Sequence, residues 1–377
     1  MKVTVDLETA ILRSETVVWR LFPGESYSLS RYIQNQEVVF MDLPGVSLPK
    51  DFPEENDALV PFLAVADAMK EYHRAKKKRD EVLRPKTDPS TYKNARKTGK
   101  RAKAAGAMRR LYSEAAKGDI VLVPAPYSEQ AIWIGEFAHH PQRIVDGYAD
   151  RRYGGEKIPG REVKWLTQAG NSSLPKELTR NIRNQNPFSR VEASFWEDVF
   201  QAAYGSFQLE GRYGSSMRSR SENFTELDNY RLAQFSLMLA QALEAADDGA
   251  IDNFRFDSFD SISEEYIASL SISVNSPGLF KAVANTAKPL LASAMFSLLI
   301  NGNVRSTIEA GETVSVEVVN SKSTGTCSAA EEVGRDIDVI LSSMGFDRVE
   351  ELCKVASRLR EDVRLESDSR ITKIDKK

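Results

Sequence analysis

Histidine and cysteine are the scarcest chemistry-bearing residues of this 377-residue chain: three of the first and two of the second. Cys327 and Cys353 are too few for a disulfide framework and lack metal-ligand spacing, so nothing points to an oxidising compartment. His73, His139 and His140 are the only imidazoles open to a Ser-His-Asp or Cys-His site. No Gly-x-Ser-x-Gly turn accompanies them, which argues against hydrolytic acyl transfer. His139 and His140 are adjacent, so on a strand they point to opposite faces, and no Cys or third His is near enough to complete a metal site. The phosphate-cradling glycines are missing too. ARKTGKR carries a Gly-Lys pair, but Asn94 stands where a P-loop needs its first glycine and Arg101 where Ser or Thr must follow. Long apolar runs are also absent. The longest, at 289–300, falls short of the roughly 20 residues that span a bilayer. Asp6 and Glu8 occupy the place of a signal peptide's apolar region, so the expectation is a soluble, cytoplasmic protein with no membrane partner.

What the chain does have is a concentrated charge. The net charge is −3, yet residues 70–110 hold 16 Lys or Arg against 4 Asp or Glu. That local +12 leaves the remaining 336 residues at −15. Pro85 and Pro89 divide this stretch. It reads as a helix ending near Leu83, a turn, and a second helix from about Thr91 to Ala116, with Asp88, Ser90 and Thr91 as capping residues. On that second helix Lys93, Lys97 and Lys100 would share a face. A face so cationic repels itself, and phosphates or an acidic protein surface would relieve the repulsion. Docking of the hairpin on acidic residues of its own chain remains the plainer alternative.

Around this basic insertion the pattern is strand-like. KVTVDLE, ETVVWRLF and EVVFMDLPG precede it; GDIVLVP, AIWIGEF and REVKWL follow, each bounded by turn residues. The expected class is α+β, with an N-terminal small β-barrel over 1–170 that the helical hairpin, at 70–117, interrupts. A polar linker follows at 171–187. Residues 188–377 read as a mixed, helix-rich domain with an effector or assembly role. There, Leu227, Leu232, Phe235, Leu239 and Leu243 make an apolar helical stripe. Gly278–Ile300 reads as a buried helix, STIEAGETVSVEVVN as a hairpin, Glu331–Arg364 as one or two helices broken at Gly345, and the tail from Glu366 as frayed.

Gly118, Asp119, Val121, Pro124, Ile134, Gly135, Glu136, Val163, Trp165 and Leu166 together form a pattern over residues 118–166. It resembles the N-terminal DNA-reading domains of Mrr-like restriction endonucleases and the related EVE/PUA-like barrels of prokaryotic defence proteins. The resemblance implies binding of DNA or of a modified base. It implies no nuclease, because the catalytic half of those enzymes has no counterpart here.

The candidate nucleic-acid contacts are Lys76, Lys77, Lys78, Arg79, Lys93, Arg96, Lys97, Lys100, Arg101, Lys103, Arg109 and Arg110. A base pocket at the barrel mouth would draw on Tyr127, Trp133, Tyr148 and Trp165 for stacking, with Arg151 and Arg152 beside them. The expected partner is nucleic acid, DNA before RNA, with other defence-system proteins or self-association in addition. No cofactor or metal is expected. Mg²⁺ would enter only through a divergent nuclease site built on Asp257, Asp260, Glu317 and Lys322, whose spacing departs from the Asp/Glu-x-Lys arrangement. A third reading makes the protein a scaffold that binds another protein through the basic hairpin.

Overall fold

The computed structural model describes residues 1–49, 51–126, 129, 131–170, 174–221, 225–247, 271–275, 279–322, 328–343 and 345–375. The chain divides into two compact units, one of Glu15–Ala203 and one of Met1–Ser14 with Tyr204–Lys377. Strands β1 (Lys2–Asp6) and β2 (Ala10–Ile11) therefore belong with the C-terminal unit.

The 15–203 unit is built from β3 (Val18–Leu21), α1 (Ser30–Gln36), β4 (Val38–Val39), α2 (Val60–Lys77) and α3 (Gly99–Arg109). After these come β5 (Ile120–Pro124), β6 (Ala131–Phe137), β7 (Val145–Tyr148), α4 (Asp150–Tyr153), β8 (Lys157–Gly170), α5 (Lys176–Ile182), β9 (Phe188–Arg190) and α6 (Trp196–Tyr204). Its seven strands form one sheet in the order β4-β8-β6-β5-β3-β9, with β7 also on β8. β8 is the spine: it pairs with β7 at its start, β4 next, and β6 along its second half, with a bulge between Ile134 and Gly135. A bulge sharpens local twist, and the sheet curls into a half-barrel. Helices α2 and α3 fill one face of the curl, where Leu63, Met69, Met108 and Leu111 pack with Trp19, Val121, Phe137 and Val163. Every residue of β5 is buried, which is why GDIVLVP is continuously apolar instead of alternating. Within 174–187, read from sequence as linker, α5 buries Leu178 and Ile182 and lies against β5.

The second unit continues with β10 (Phe207–Leu209), β11 (Arg212–Ser219), α7 (Glu226–Asp247), β12 (Ser271–Asn275), β13 (Leu279–Ala284) and α8 (Lys288–Leu299). It ends with α9 (Gly302–Glu309), β14 (Ser315–Val319), α10 (Ser328–Ser343), α11 (Gly345–Val363), β15 (Leu365–Ser367) and β16 (Arg370–Asp375). One sheet runs β12-β13-β11-β10-β2, with β15 on β11; the other is β14-β1-β16. Helix α8 is buried at every residue from Pro289 to Leu299. The longest apolar run is thus a core helix, and among the described residues no helix is long and apolar enough to cross a membrane. Of the stripe on α7, Leu232, Phe235 and Leu239 are core, Phe235 meeting Phe296 edge-on, whereas Leu227 is 56% exposed. The side chain of Leu243 lies outside the described residues.

Three local expectations are corrected here. Leu279–Ala284 is a strand, not the start of the buried helix; the helix begins only at Lys288, with Pro289 in its first turn, where proline's missing N–H costs nothing. The supposed hairpin STIEAGETVSVEVVN is α9 followed by β14, because Asn301 caps the backbone N–H groups of Asn303 and Val304, and Arg305 pairs with Glu309 one turn on. The tail is no frayed end. β16 lies antiparallel to β1, and β14 parallel to β1 on its other edge.

Candidate nucleic-acid interface

Helix α2 is anchored by its first half, where Val60, Leu63, Ala64, Val65, Ala66 and Met69 are all buried. Its last turn carries Arg74, Lys76 and Lys77, a sign the helix's C-terminal dipole favours. It stops at Lys77, short of Leu83. Asp88 accepts from the backbone N–H of Ser90 and caps only a single 3₁₀ turn, Pro89–Tyr92. The longer helix expected from Thr91 starts instead at Gly99, where Thr98 accepts from the N–H of Arg101. Lys93 and Lys97 therefore precede the helix and share no helical face with Lys100.

The arm is partly held by its own unit's acids. Lys97 pairs with Asp57 at 2.6 Å, Arg101 with Asp67 at 3.0 Å and Arg109 with Glu114 at 3.1 Å; Arg110 donates to the Phe188 carbonyl. The other eight predicted contacts, Lys76, Lys77, Lys78, Arg79, Lys93, Arg96, Lys100 and Lys103, are exposed and make no ion pair among the described residues. The arm's root is thus an internal ion-pair latch, and its outer part is an uncompensated cationic surface.

The residues that carry the 118–166 pattern are structural. Gly118 sits at φ +84°, a turn that lets the carboxylate of Asp119 face inward. Asp119 is buried and accepts hydrogen bonds from the Val17 N–H at 3.1 Å, the Trp19 indole at 2.8 Å and the Ala116 N–H at 2.8 Å. Beside it Arg161, also buried, donates to the carbonyls of Leu111, Ala115 and His139 and lies over the Phe137 ring. Burial pushes its guanidinium down to about 10, still charged at neutral pH, with Asp119 opposing the shift. Gly135 leaves room for Trp165: a Cβ there would stand 2.7 Å from the indole ring.

Trp133 and Trp165 come together, ring centroids 6.2 Å apart, on neighbouring strands β6 and β8. Both are half-buried and packed against the core; Trp165 donates to the Gln34 carbonyl, while the Trp133 indole N–H is shielded and without a partner. Tyr148 is fixed through its backbone by Gln36. Arg152 donates to the Tyr153 hydroxyl, which donates to Asp42 at 2.6 Å; Arg151 is exposed. Tyr127 lies outside the described residues.

One cluster has no local sequence signal. Asp42, Lys70, His73, Arg84, Tyr153 and Glu156 meet where the arm joins the sheet: Lys70 with Asp42 at 3.5 Å, Arg84 with Glu156 at 2.9 Å, His73 with Glu156 at 3.8 Å and edge-on to Tyr153. Burial holds the His73 imidazole below its ordinary value, Glu156 opposing and Lys76 and Arg84 adding to the shift. Burial and Asp42 push the Tyr153 hydroxyl well up. These groups fix the arm's base and align no nucleophile.

Elsewhere, His139 and Arg143 share Glu162 at 2.9 and 3.5 Å. Glu317 pairs with Lys2 at 3.0 Å on the β14–β1 ladder, while Asp257 and Asp260 lie outside the described residues. Burial pushes the Cys353 thiol up to about 11, which leaves it protonated and inert. Among the described residues no three His, Cys, Asp or Glu side chains converge on a metal position. No family model, curated protein or solved structure matches the chain.

Proposed function

We propose that the protein binds nucleic acid, DNA before RNA, through the outer face of the basic arm, with the curled sheet as an EVE/PUA-like module. The wider setting we propose is a cytoplasmic, prokaryotic antiviral or restriction-type system. The carrying observation is the set of eight exposed lysines and arginines that make no ion pair among the described residues of a chain otherwise rich in acids. Such contacts fall on phosphates, so they set affinity and salt dependence without reading sequence. Trp133 and Trp165 are offered as the stacking pair of the sheet.

The test replaces only cations outside the latch: Lys77, Lys78, Lys93, Lys100 and Lys103, each by Gln. Binding of a labelled DNA duplex should weaken, and the log–log salt slope should fall by about one for each lysine that meets a phosphate. An unchanged slope removes the arm from this reading. A second reading, an acidic protein partner, draws on Val82 and on Leu83, which is 97% exposed in the arm's loop. It is favoured if the wild-type protein ignores DNA near physiological salt but co-purifies with an acidic protein.

A further inference from the structure

Four arginines of the unit formed by residues 1–14 and 204–377 line a single open cleft. Its volume, about 770 Å³, lies in the range of small-molecule sites. Arg220, Arg360, Arg364 and Arg370 face it together with one carboxylate, Glu366. Glu366 is taken by Arg220 at 2.7 Å, and Arg370 is held at 3.4 Å by Glu8. Arg360 donates to the Ile300 carbonyl at 2.8 Å, a neutral acceptor that leaves its charge uncompensated. Arg364 makes no ion pair among the described residues. Ser297, Ser367 and Ser369 also line the cleft, but their hydroxyls donate within the fold, Ser297 to the Ser369 carbonyl and Ser367 and Ser369 to Ser293.

Arg364 is also placed against its backbone preference. It follows the last residue of α11 at φ +50°, the position where a helix end favours glycine. An arginine there strains the backbone, and its guanidinium serves no described contact of the fold. Guanidinium groups bind phosphate through paired N–H donors, and two that make no ion pair among the described residues match a multiply charged anion.

We propose that this cleft binds a phosphate ester of nucleotide size, with Arg360 and Arg364 on the phosphate oxygens. The phosphodiester of a polynucleotide offers the same chemistry, so the test separates the two sources. The full chain is titrated calorimetrically with pyrophosphate, with ATP and with a short single-stranded DNA.

Pyrophosphate and ATP should bind saturably, and Arg360→Gln with Arg364→Gln should weaken both at least about tenfold. Because Arg360 also ties down Ile300, Arg364→Gly serves as the second variant. Glycine suits the positive φ, so its melting temperature should be unchanged or higher while anion affinity falls. Absence of saturable pyrophosphate and ATP binding overturns the proposal, as do affinities unaltered in both variants. So does a cleft dependence seen for the oligonucleotide alone. The five-lysine arm variant should keep its pyrophosphate affinity, so failure here and failure of the nucleic-acid reading are read separately.

Discussion

Asp119 shows how one carboxylate can organise a unit. It takes donors from the segment before β3, from Trp19 on β3 and from the end of the arm, and its charge acts on Arg161. Asp119→Asn exchanges an acceptor for a donor facing N–H groups and removes the carboxylate charge that supports the Arg161 guanidinium. The expected loss is about 3 kcal/mol or more, read from urea unfolding followed by tryptophan fluorescence. His73 sets an acid limit on the same unit. Its folded-state value lies below the ordinary 6.5, so just below pH 6.5 the unfolded chain binds more protons. Its contribution is complete above that pH and is lost as pH falls through the folded value. Unfolding midpoints should drop between about pH 7.5 and about pH 5.5, and the drop should shrink in His73→Gln. The scarcity of histidine was plain in the sequence. The pocket around His73 was not, since Asp42, Tyr153 and Glu156 reach it only after the sheet has curled.

At the scale of elements, β5, β6 and β8 follow from their apolar and β-branched runs. The second arm helix does not follow. Thr98 competes as a cap in mid-segment, and the lysines before it repel one another, so the chain stays open until Gly99. The face predicted from Lys93, Lys97 and Lys100 dissolves as a result. Gly135 tests the packing of the curl. Gly135→Val drives a branched side chain into the Trp165 ring, opposite the bulge that bends the sheet. The expected destabilisation is about 1–3 kcal/mol, accompanied by a shift in tryptophan emission. Unshifted emission with full stability would mean that the ring does not lie across this strand.

At the scale of the whole molecule, the two chain ends meet. β1 takes β16 on one edge and β14 on the other, burying Val3 and Val5 completely. Asp6 binds the turn after β14: burial alone would raise its pKa, but the hydrogen bonds from Ser321 and Glu8 pull it below the usual carboxylate range. A frayed tail would be dispensable. Truncation after Ser369 should instead strip one edge of β1 and lower the melting temperature by more than about 5 °C, with faster proteolysis of the N-terminal segment. Full stability in the truncated chain would refute the pairing.

The sequence alone determined the burial of the apolar runs that become β5 and α8, the concentration of positive charge at 70–110 and the lack of nucleophile or phosphate-loop motifs. These depend on composition and on local period, which every short segment carries with it. The tertiary structure alone decided which cations stay unpaired, that Trp133 and Trp165 meet, that Arg220 joins Arg360, Arg364 and Arg370 in one cleft, and that the first strand completes the second unit. Each of these brings together groups far apart along the chain, and only the folded backbone fixes the distances on which their electrostatics and packing depend.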